Sequence, residues 1–238
     1  ILEPFSRTNG IDLSGFLRGQ GWSAANGWIE GAGSETFYSG TNSLQPAVAY
    51  PPVGGNLALT TLGAGETAQA TRWFMTANTA TNLYLSWVMN VQTSGAAQYA
   101  GIDVMGGAAN TTELFRIGLP AGSTTAGIQS LLHAGTPVSN SSVTINSGVD
   151  YTFVAKYVRT NRTVYLLTYT TNNVIQPSAT DEPALTNWHA RFAMGSSVLS
   201  TNFYGLRMAA GGNPGTVKWD EIRVADKWTN LFNVGRQP

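Results

Sequence analysis

Apolar and polar residues alternate along most of this chain, as they do in β-strands with one buried face. The clearest segment is 82–92, where two sets of residues alternate: Leu83, Leu85, Trp87, Met89 and Val91 against Tyr84, Ser86, Val88 and Asn90. Shorter segments of the same kind are separated by Gly, Asn and Pro, and no long stretch has a helical period. About a dozen short strands are therefore predicted, which is typical of an all-β sandwich.

Two alternating runs in the second half of the chain predict a hairpin. They cover residues 151–159 and 162–170 and leave Thr160 and Asn161 between them. Because two residues leave room only for a tight turn, we expect the strands to pair directly.

The segment 217–224 predicts the strand around which the rest is organised. Simple alternation would place its residues on two faces: Val217, Trp219, Glu221 and Arg223 on one, and Lys218, Asp220, Ile222 and Val224 on the other. Neither face is purely apolar, which favours a central strand covered on both sides. Asp220 would then be a partly buried charge that needs a partner. After this strand, residues 227–232 predict one helical turn that packs Trp228 and Leu231 against the sandwich.

Length and composition narrow the class of protein. We expect a single domain over residues 1–238, with 226–238 as a C-terminal tail packed on it, because no linker-like segment divides the chain. Thirteen basic residues balance thirteen acidic ones, and charged residues make up only 11%. No net field would therefore attract nucleic acid or an anionic membrane, and no apolar run approaches the roughly 20 residues of a membrane span.

The same composition favours an extracellular protein. Gly, Thr, Asn, Ser and Ala take the place that Lys and Glu have in a typical cytosolic protein, while aromatic residues reach 11%. Cysteine is absent, so disulfides do not stabilise the chain, but this absence does not decide the compartment. The chain begins at Ile1 without a charged or apolar leader, as a mature secreted chain would. We therefore expect a secreted or cell-surface location.

The order of these segments resembles a known group of proteins. The resemblance rests on Glu3-Pro4-Phe5, Gly21-Trp22, segment 82–92, the pair 151–159 and 162–170, and above all 219–224 followed by Trp228. They are similar to the concanavalin A-like lectin/glucanase superfamily. More narrowly, they resemble the laminin-G-like jelly-roll domains of secreted bacterial proteins of planctomycete and verrucomicrobial type, which often carry a sorting signal. The resemblance implies a two-sheet antiparallel jelly-roll β-sandwich with a concave, glycan-binding face.

The resemblance also implies a structural Ca²⁺ that ties the N-terminal segment to the last strand. Carried over to this chain, the ligands are the Asp220 carboxylate, Glu3 or its carbonyl, and the Gly40 carbonyl. Ca²⁺ accepts six to eight oxygens, including backbone carbonyls. The alternative is that Asp220 pairs with Arg223, Lys218 or a loop amide.

Glycan binding needs aromatic faces and a few hydrogen-bonding side chains. The candidates in this chain are Tyr84, Asn90, Tyr99, Arg116 and Tyr165. Tyr84 shares a predicted face with Ser86 and Asn90, which places it on the polar, concave side, whereas Trp87 is expected in the core.

The sequence disfavours catalysis. Glycosidases need two carboxylates flanking the bond, and hydrolases of this superfamily carry them at a spacing of two on one strand. Here the closest acidic pairs, Asp181-Glu182 and Asp220-Glu221, are adjacent and would face opposite sides of a strand. His133 and His189 lie in unrelated contexts and are expected to be surface or capping residues. No catalytic residue is predicted.

The sequence therefore predicts a non-catalytic, carbohydrate-binding module with a structural calcium. Two alternatives remain. One is a self-assembling extracellular filament or surface-layer subunit, since a net charge near zero lowers the barrier to association. The other is a polysaccharide lyase or glycoside hydrolase with a non-standard site.

Overall fold

The structure is a computed structural model that describes residues 2–3, 5, 10, 12–14, 22–23, 27–32, 35–41, 43–44, 46, 56–92, 98–106, 112–132, 138–170, 178, 180–194, 202–212 and 214–233. Four sequence-based expectations concern residues outside these ranges: Pro4, Gly21, His133 and 234–238.

The described residues form fifteen strands. They are β1 Leu2–Glu3, β2 Ile29–Glu30, β3 Tyr38–Thr41, β4 Asn56–Leu62, β5 Thr67–Asn78, β6 Asn82–Val91, β7 Tyr99–Gly106, β8 Thr112–Leu119, β9 Thr125–Ser130, β10 Val138–Thr144, β11 Asp150–Val158, β12 Thr163–Tyr169, β13 Ala190–Ala193, β14 Phe203–Gly211 and β15 Gly215–Ala225. One 3₁₀ turn, Leu185–Asn187, and one short helix, α1 Trp228–Asn233, accompany them. None of the described helices is long and apolar enough to cross a membrane.

Two antiparallel sheets contain these strands. The eight-stranded sheet has the order β13-β12-β11-β6-β15-β4-β3, with β1 paired to β15, and the seven-stranded sheet has the order β10-β9-β8-β7-β14-β5-β2. In each sheet a late strand lies between two early ones, which is the connectivity of a jelly roll rather than of a meander. The predicted two-sheet jelly-roll β-sandwich is thus confirmed. Its extent as one domain over 1–238 stays a prediction.

Alternating apolar residues from both sheets form the shared core. Trp87 of β6 is fully buried and stacks on Phe153 of β11, with ring centroids 5.1 Å apart. Trp22 and Trp28, from the glycine-rich N-terminal region, belong to the same core. Trp28 stacks on Phe5 at 6.0 Å, so the early aromatic residues anchor this region to the sandwich.

The start of the chain lies beside the terminal strand. Leu2 is opposite Arg223 and Glu3 is opposite Ile222. Phe5 and Trp219 are both fully buried in the main core. The expected neighbourhood of the N-terminal segment and the 217–224 strand is therefore confirmed.

A β-bulge interrupts β15 and corrects its predicted faces. Between Asp220 and Arg223 the strand advances three residues while β6 advances two, from Val88 to Ser86, and Glu221 has a φ of 54°. The extra residue reverses the alternation. Trp219 and Ile222, predicted on opposite faces, consequently both point into the main core.

The β11–β12 hairpin forms as predicted, but its turn is longer. Val158 pairs with Thr163, so residues 159–162 make the connection instead of two. Arg162 has a φ of 52° and its amide donates to the Arg159 carbonyl. Arg159 and Arg162 were assigned to the strands because their side chains fit the alternation, which carries no information about φ.

A second apolar cluster lies on the outer face of the eight-stranded sheet, beneath α1. It contains Tyr84, Val154, Tyr165, Leu167, Tyr169, Trp188, Ala225, Trp228, Leu231 and Phe232. The indole N–H of Trp228 donates to the Ser178 carbonyl at 2.9 Å. The predicted helical turn and the burial of Trp228 and Leu231 are confirmed.

Candidate functional site

Polar side chains from five neighbouring strands meet on the outer face of the seven-stranded sheet. Along β7, Ala100, Ile102 and Val104 point into the core, so Tyr99 and Asp103 point outwards. The same alternation places further polar residues on this face: Arg116 of β8, Gln129 of β9, Arg207 of β14 and Gln69 of β5.

Three of these side chains, together with Glu113 of β8, form what we call the Asp103 network: Asp103, Glu113, Arg116 and Arg207. Arg116 donates through Nε and Nη2 to the two oxygens of Asp103, at 2.7 and 3.0 Å. Arg207 donates through Nε and Nη2 to Asp103 Oδ2, at 3.0 and 2.5 Å, and through Nη1 to Glu113 Oε1 at 2.6 Å. Asp103 is 0% exposed. Two cations thus balance two carboxylates, of which Asp103 is shielded from water.

The network holds Arg207 in its charged form and in a fixed orientation. Burial alone would lower the pKa of Arg207, but the hydrogen bonds and charges of Glu113 and Asp103 outweigh it and raise the pKa further above the ordinary value. Arg207 also donates to Gln69 Oε1 at 3.2 Å. Such charge-assisted, two-pronged contacts orient guanidinium groups strongly.

Two aromatic rings lie on the same outer face as the network, each against a glycine of β14. The Arg116 guanidinium stacks on the Tyr99 ring, 4.1 Å from its centroid. A Cβ at Gly211 would come within 2.6 Å of that ring, and a Cβ at Gly205 would come within 2.6 Å of the Trp73 ring. Burial raises the pKa of Tyr99, although the positive charge of Arg116 acts in the opposite direction.

Three polar atoms of this site have no hydrogen-bond partner among the described residues: the Tyr99 hydroxyl, Arg116 Nη1 and Glu113 Oε2. The Glu113 side chain is 37% exposed. The arrangement therefore offers a hydroxyl, a cationic donor and an anionic acceptor on a preorganised base, which suits a ligand with several hydroxyl groups.

The predicted ligand-binding residues separate into two groups. Tyr99 and Arg116 meet in this site, whereas Tyr84, Tyr165 and Asn90 lie on the other sheet. Tyr84 and Tyr165 are 3% and 4% exposed and belong to the second apolar cluster. The Tyr84 hydroxyl donates to Glu182 at 2.7 Å, and Lys156 pairs with the same carboxylate at 2.6 Å.

Tyr84 is therefore buried in an apolar cluster and not on the polar face predicted for it. The loop that carries Glu182 and Trp188, together with α1, covers this part of the sheet. The alternation of residues within β6 does not indicate that contact. Asp103, Glu113 and Arg207 were missed by the sequence reasoning. One sequence feature could have indicated them: Asp103 is a lone charge in the mostly apolar strand β7, and Arg207 is a lone charge in the mostly apolar strand β14.

Asp220 lies on the eight-stranded sheet, at the point where β15 leaves β4 and meets β1. It is 1% exposed. Its carboxylate accepts from the Leu44 amide at 2.9 Å and the Glu221 amide at 2.8 Å, and also from the Ser43 side chain. Burial, and then repulsion from Glu221, raise the pKa of Asp220 to about 7.

This carboxylate fits one ligand of a cation site. Among the described residues no lysine or arginine forms an ion pair with Asp220, and Arg223 pairs with Glu221 instead, at 2.8 Å. Three hydrogen bonds use three of its roughly four acceptor positions, so one remains. The described residues contain no group of three or more His, Cys, Asp and Glu that could hold a metal. Within that part of the chain, the oxygens that could join Asp220 are those of the backbone and of hydroxyl groups.

The two other predicted calcium ligands are placed differently. The backbone of Glu3 pairs with that of Ile222, two residues from Asp220. Gly40 pairs with Leu57 of β4, and β4 separates it from β15. The part of the chain that reaches Asp220 is Ser43-Leu44, just beyond β3.

Comparison with protein-family models gave no match, and comparison with curated protein sequences gave no significant match. Solved structures are similar in fold. The T. cruzi calreticulin globular domain superposes with a TM-score of 0.54 at 9% identity, covering 95% of this chain and 91% of that one. A GH16 protein of the Bacteroides ovatus mixed linkage glucan PUL, in complex with a G4G4G3G product, gives a TM-score of 0.51 at 9% identity, covering 90% and 99%. The chain has the concanavalin A-like fold.

Proposed function

We propose that this protein is a non-catalytic, carbohydrate-binding module whose glycan site is the outer face of the seven-stranded sheet around Tyr99 and Arg116. The observation that carries the proposal is the Asp103 network, which holds unpaired hydrogen-bonding groups beside two aromatic rings. A preorganised set of this kind recognises hydroxyl groups with little further ordering. One protein of the same fold, the B. ovatus GH16 protein, was solved with a glucan product, so this fold is able to hold a glycan.

Binding rather than hydrolysis is supported by the state of the carboxylates. Both oxygens of Asp103 accept from arginines, and its side chain is fully buried. That leaves Glu113 as the one exposed carboxylate of the network, whereas a glycosidase of the usual kind needs two. The composition supports a place outside the cell, and the narrower kinship with laminin-G-like bacterial domains belongs to the same proposal.

Affinity electrophoresis and calorimetry on a panel of neutral glycans test the site. Tyr99→Phe removes one hydroxyl and should weaken binding about fivefold, the worth of one hydrogen bond. Tyr38→Phe is the matched control, because Tyr38 is 42% exposed on the other sheet. Failure of the native protein to bind any glycan, or equal loss in both variants, would refute the proposal. If the native protein instead releases reducing ends from a glycan, and Glu113→Gln abolishes that release, the protein is a hydrolase and not a binding module.

We also propose that Asp220 binds a structural Ca²⁺, together with carbonyl oxygens of the adjoining Ser43-Leu44 segment and of β1. The ion would supply the positive charge that this buried carboxylate lacks among the described residues. Ligands that bind only the native state stabilise it, so a chelator should lower the thermal midpoint. Asp220→Asn should abolish the calcium response and exposed Asp181→Asn should keep it. An unchanged midpoint in the native protein, or an equal response in Asp220→Asn, would count against the site.

A further inference from the structure

A second row of polar side chains crosses one end of the eight-stranded sheet, on its outer face. Lys218 of β15 is directly opposite Asn90 of β6, and Asn90 is directly opposite Asp150 of β11. Opposed residues of an antiparallel pair have Cβ atoms about 5 Å apart. A cation, an amide and a carboxylate therefore stand side by side on three adjacent strands.

This row borders an open pocket of about 400 Å³, lined by Asn90, Gln92, Gly148, Thr216 and Lys218. A water molecule takes roughly 30 Å³ and small-molecule sites roughly 300–1,000 Å³. The pocket is therefore large enough for a small organic molecule and far larger than a single ion needs.

Hydrogen bonds fix the pocket walls. The Thr216 amide donates to Gln92 Oε1 at 3.0 Å, and the Gln92 amide donates to the Thr216 carbonyl at 2.9 Å. Asn90 Nδ2 donates to Asp150 at 2.6 Å, and the Gly148 amide donates to the Val91 carbonyl at 2.9 Å. Both side-chain amides thus keep one orientation, with Gln92 Nε2 and Asn90 Oδ1 as their remaining groups.

Three groups in the pocket have no partner among the described residues: the Lys218 ammonium, Gln92 Nε2 and Asn90 Oδ1. The Lys218 ammonium and Gln92 Nε2 are donors, and the ammonium is charged, so together they match a carboxylate or sulfate group. Asn90 Oδ1 is an acceptor, so it matches a hydroxyl group. We propose that this pocket binds an acidic sugar unit, with its anionic group on Lys218 and Gln92 and a hydroxyl donating to Asn90.

An acidic sugar uses more of these groups than a simpler ligand does. A small anion would not use the Asn90 carbonyl, and a neutral sugar would not use the charge of Lys218. The pocket lies on the eight-stranded sheet and the Asp103 network on the seven-stranded sheet, so each binding site can be tested without the other.

Amide NMR of the ¹⁵N-labelled protein tests the pocket, because Gln92 and Asn90 carry side-chain NH₂ signals. Glucuronate and glucose 6-sulfate distinguish the two anionic groups, with glucose and acetate as partial ligands. At least one acidic sugar should shift these signals and bind about tenfold more tightly than glucose or acetate, as expected for a hydrogen bond to a charged group. Lys218→Gln should remove this preference and Lys218→Arg should largely retain it. Lys227→Gln, at an exposed lysine outside the pocket, should not change it.

Three outcomes would overturn the proposal. The first is no movement of the Gln92 and Asn90 signals with either acidic sugar. The second is binding of acetate or glucose as tight as that of the acidic sugars. The third is unchanged affinity in Lys218→Gln, provided that its thermal midpoint shows a folded protein.

Discussion

Asp103 is the side chain on which the outer-face site depends. It lies between two guanidinium groups in a site from which water is largely excluded. Asp103→Asn keeps the shape but removes the charge, and breaking a buried ion pair by removing one partner costs about 3–5 kcal/mol. We expect a loss of this size in urea unfolding. Exposed Asp181→Asn is the matched control, and a loss no larger than that control's would show that the network is not structural.

His189 gives the protein a pH response of known sign. Its Nδ1 accepts the Thr168 amide at 3.0 Å, so protonation at Nδ1 breaks this bond. Burial lowers the pKa of His189 below its ordinary value of 6.5. The unfolded state therefore binds the proton more readily, and the stability that His189 contributes is present above about pH 6.5 and lost as the pH falls through its lower native pKa.

The measurement is the free energy of unfolding between about pH 8 and pH 5 in native protein and His189→Gln. We expect the native protein to lose about 1 kcal/mol more than the variant, the net worth of one hydrogen bond. Both proteins are measured in chelator, and the comparison is needed because Asp220, whose pKa without a bound cation is about 7, acts in the opposite direction: its stabilisation is lost as the pH rises. Lys227→Gln, at an exposed residue away from His189, should follow the native curve. Identical curves for native protein and His189→Gln would contradict the assignment.

For single residues, the sequence predicts which face of a strand a side chain occupies, but not which side chains of other strands it contacts. Alternation correctly buries Trp87, and it would have placed Asp103 and Arg207 on outer faces. Asp103 and Arg207 become neighbours only because β14 pairs with β7. The two residues are more than a hundred positions apart in the sequence, so alternation gives no sign of their contact. For the same reason Tyr84 was assigned to a polar face, since its cover comes from Glu182 and α1.

Among the elements, β14 shapes the candidate site through its glycines. The three atoms nearest to an added Cβ at Gly211 all belong to the Tyr99 side chain, at 2.6 Å, whereas at Gly205 the nearest is the Arg72 carbonyl oxygen, at 2.5 Å. A side chain can move aside more cheaply than a paired backbone. Gly211→Ala should therefore displace Tyr99 and weaken glycan binding with a small loss of stability, and Gly205→Ala should cost more stability.

A double-variant cycle checks this reasoning. In a Tyr99→Ala background the space above Gly211 is free, so Gly211→Ala should cost almost nothing there, while the cost of Gly205→Ala should be unchanged. Thermal unfolding of the single and double variants measures both terms. Equal costs of Gly211→Ala in the two backgrounds would mean that Tyr99 does not lie over this glycine.

The element that sequence reasoning described least well is β15. Its composition and its central position were predicted, but the bulge at Glu221 was not, because a positive φ at a glutamate has no compositional signal. Because of the bulge, Trp219 and Ile222 both lie in the main core, and Asp220 points towards the Ser43-Leu44 segment. Strict alternation would place Trp219 and Ile222 on opposite faces of the strand.

For the whole molecule, the resemblance predicted two stacked sheets and the neighbourhood of the chain's two ends. It did not predict which strands are central. The pairings show that β14 lies between β7 and β5, and that β15 lies between β6 and β4. Each sheet is therefore completed by a strand from the last part of the chain, and strand pairs so distant in sequence carry no local signal.

This topology predicts that the sandwich forms as one unit only when the last strands are present. A chain ending at Met194 lacks β14 and β15, so each sheet would be split and would expose two unpaired edges. It would also lose the buried Trp219, Leu206 and Met208 from the core. We expect this fragment to lack near-ultraviolet circular dichroism and slow amide exchange, whereas a chain ending at Asn233 keeps every described element and should show both. Slow exchange in β6 and β7 of the shorter chain would mean that residues 1–194 fold alone, and that the late strands add to a sandwich already formed.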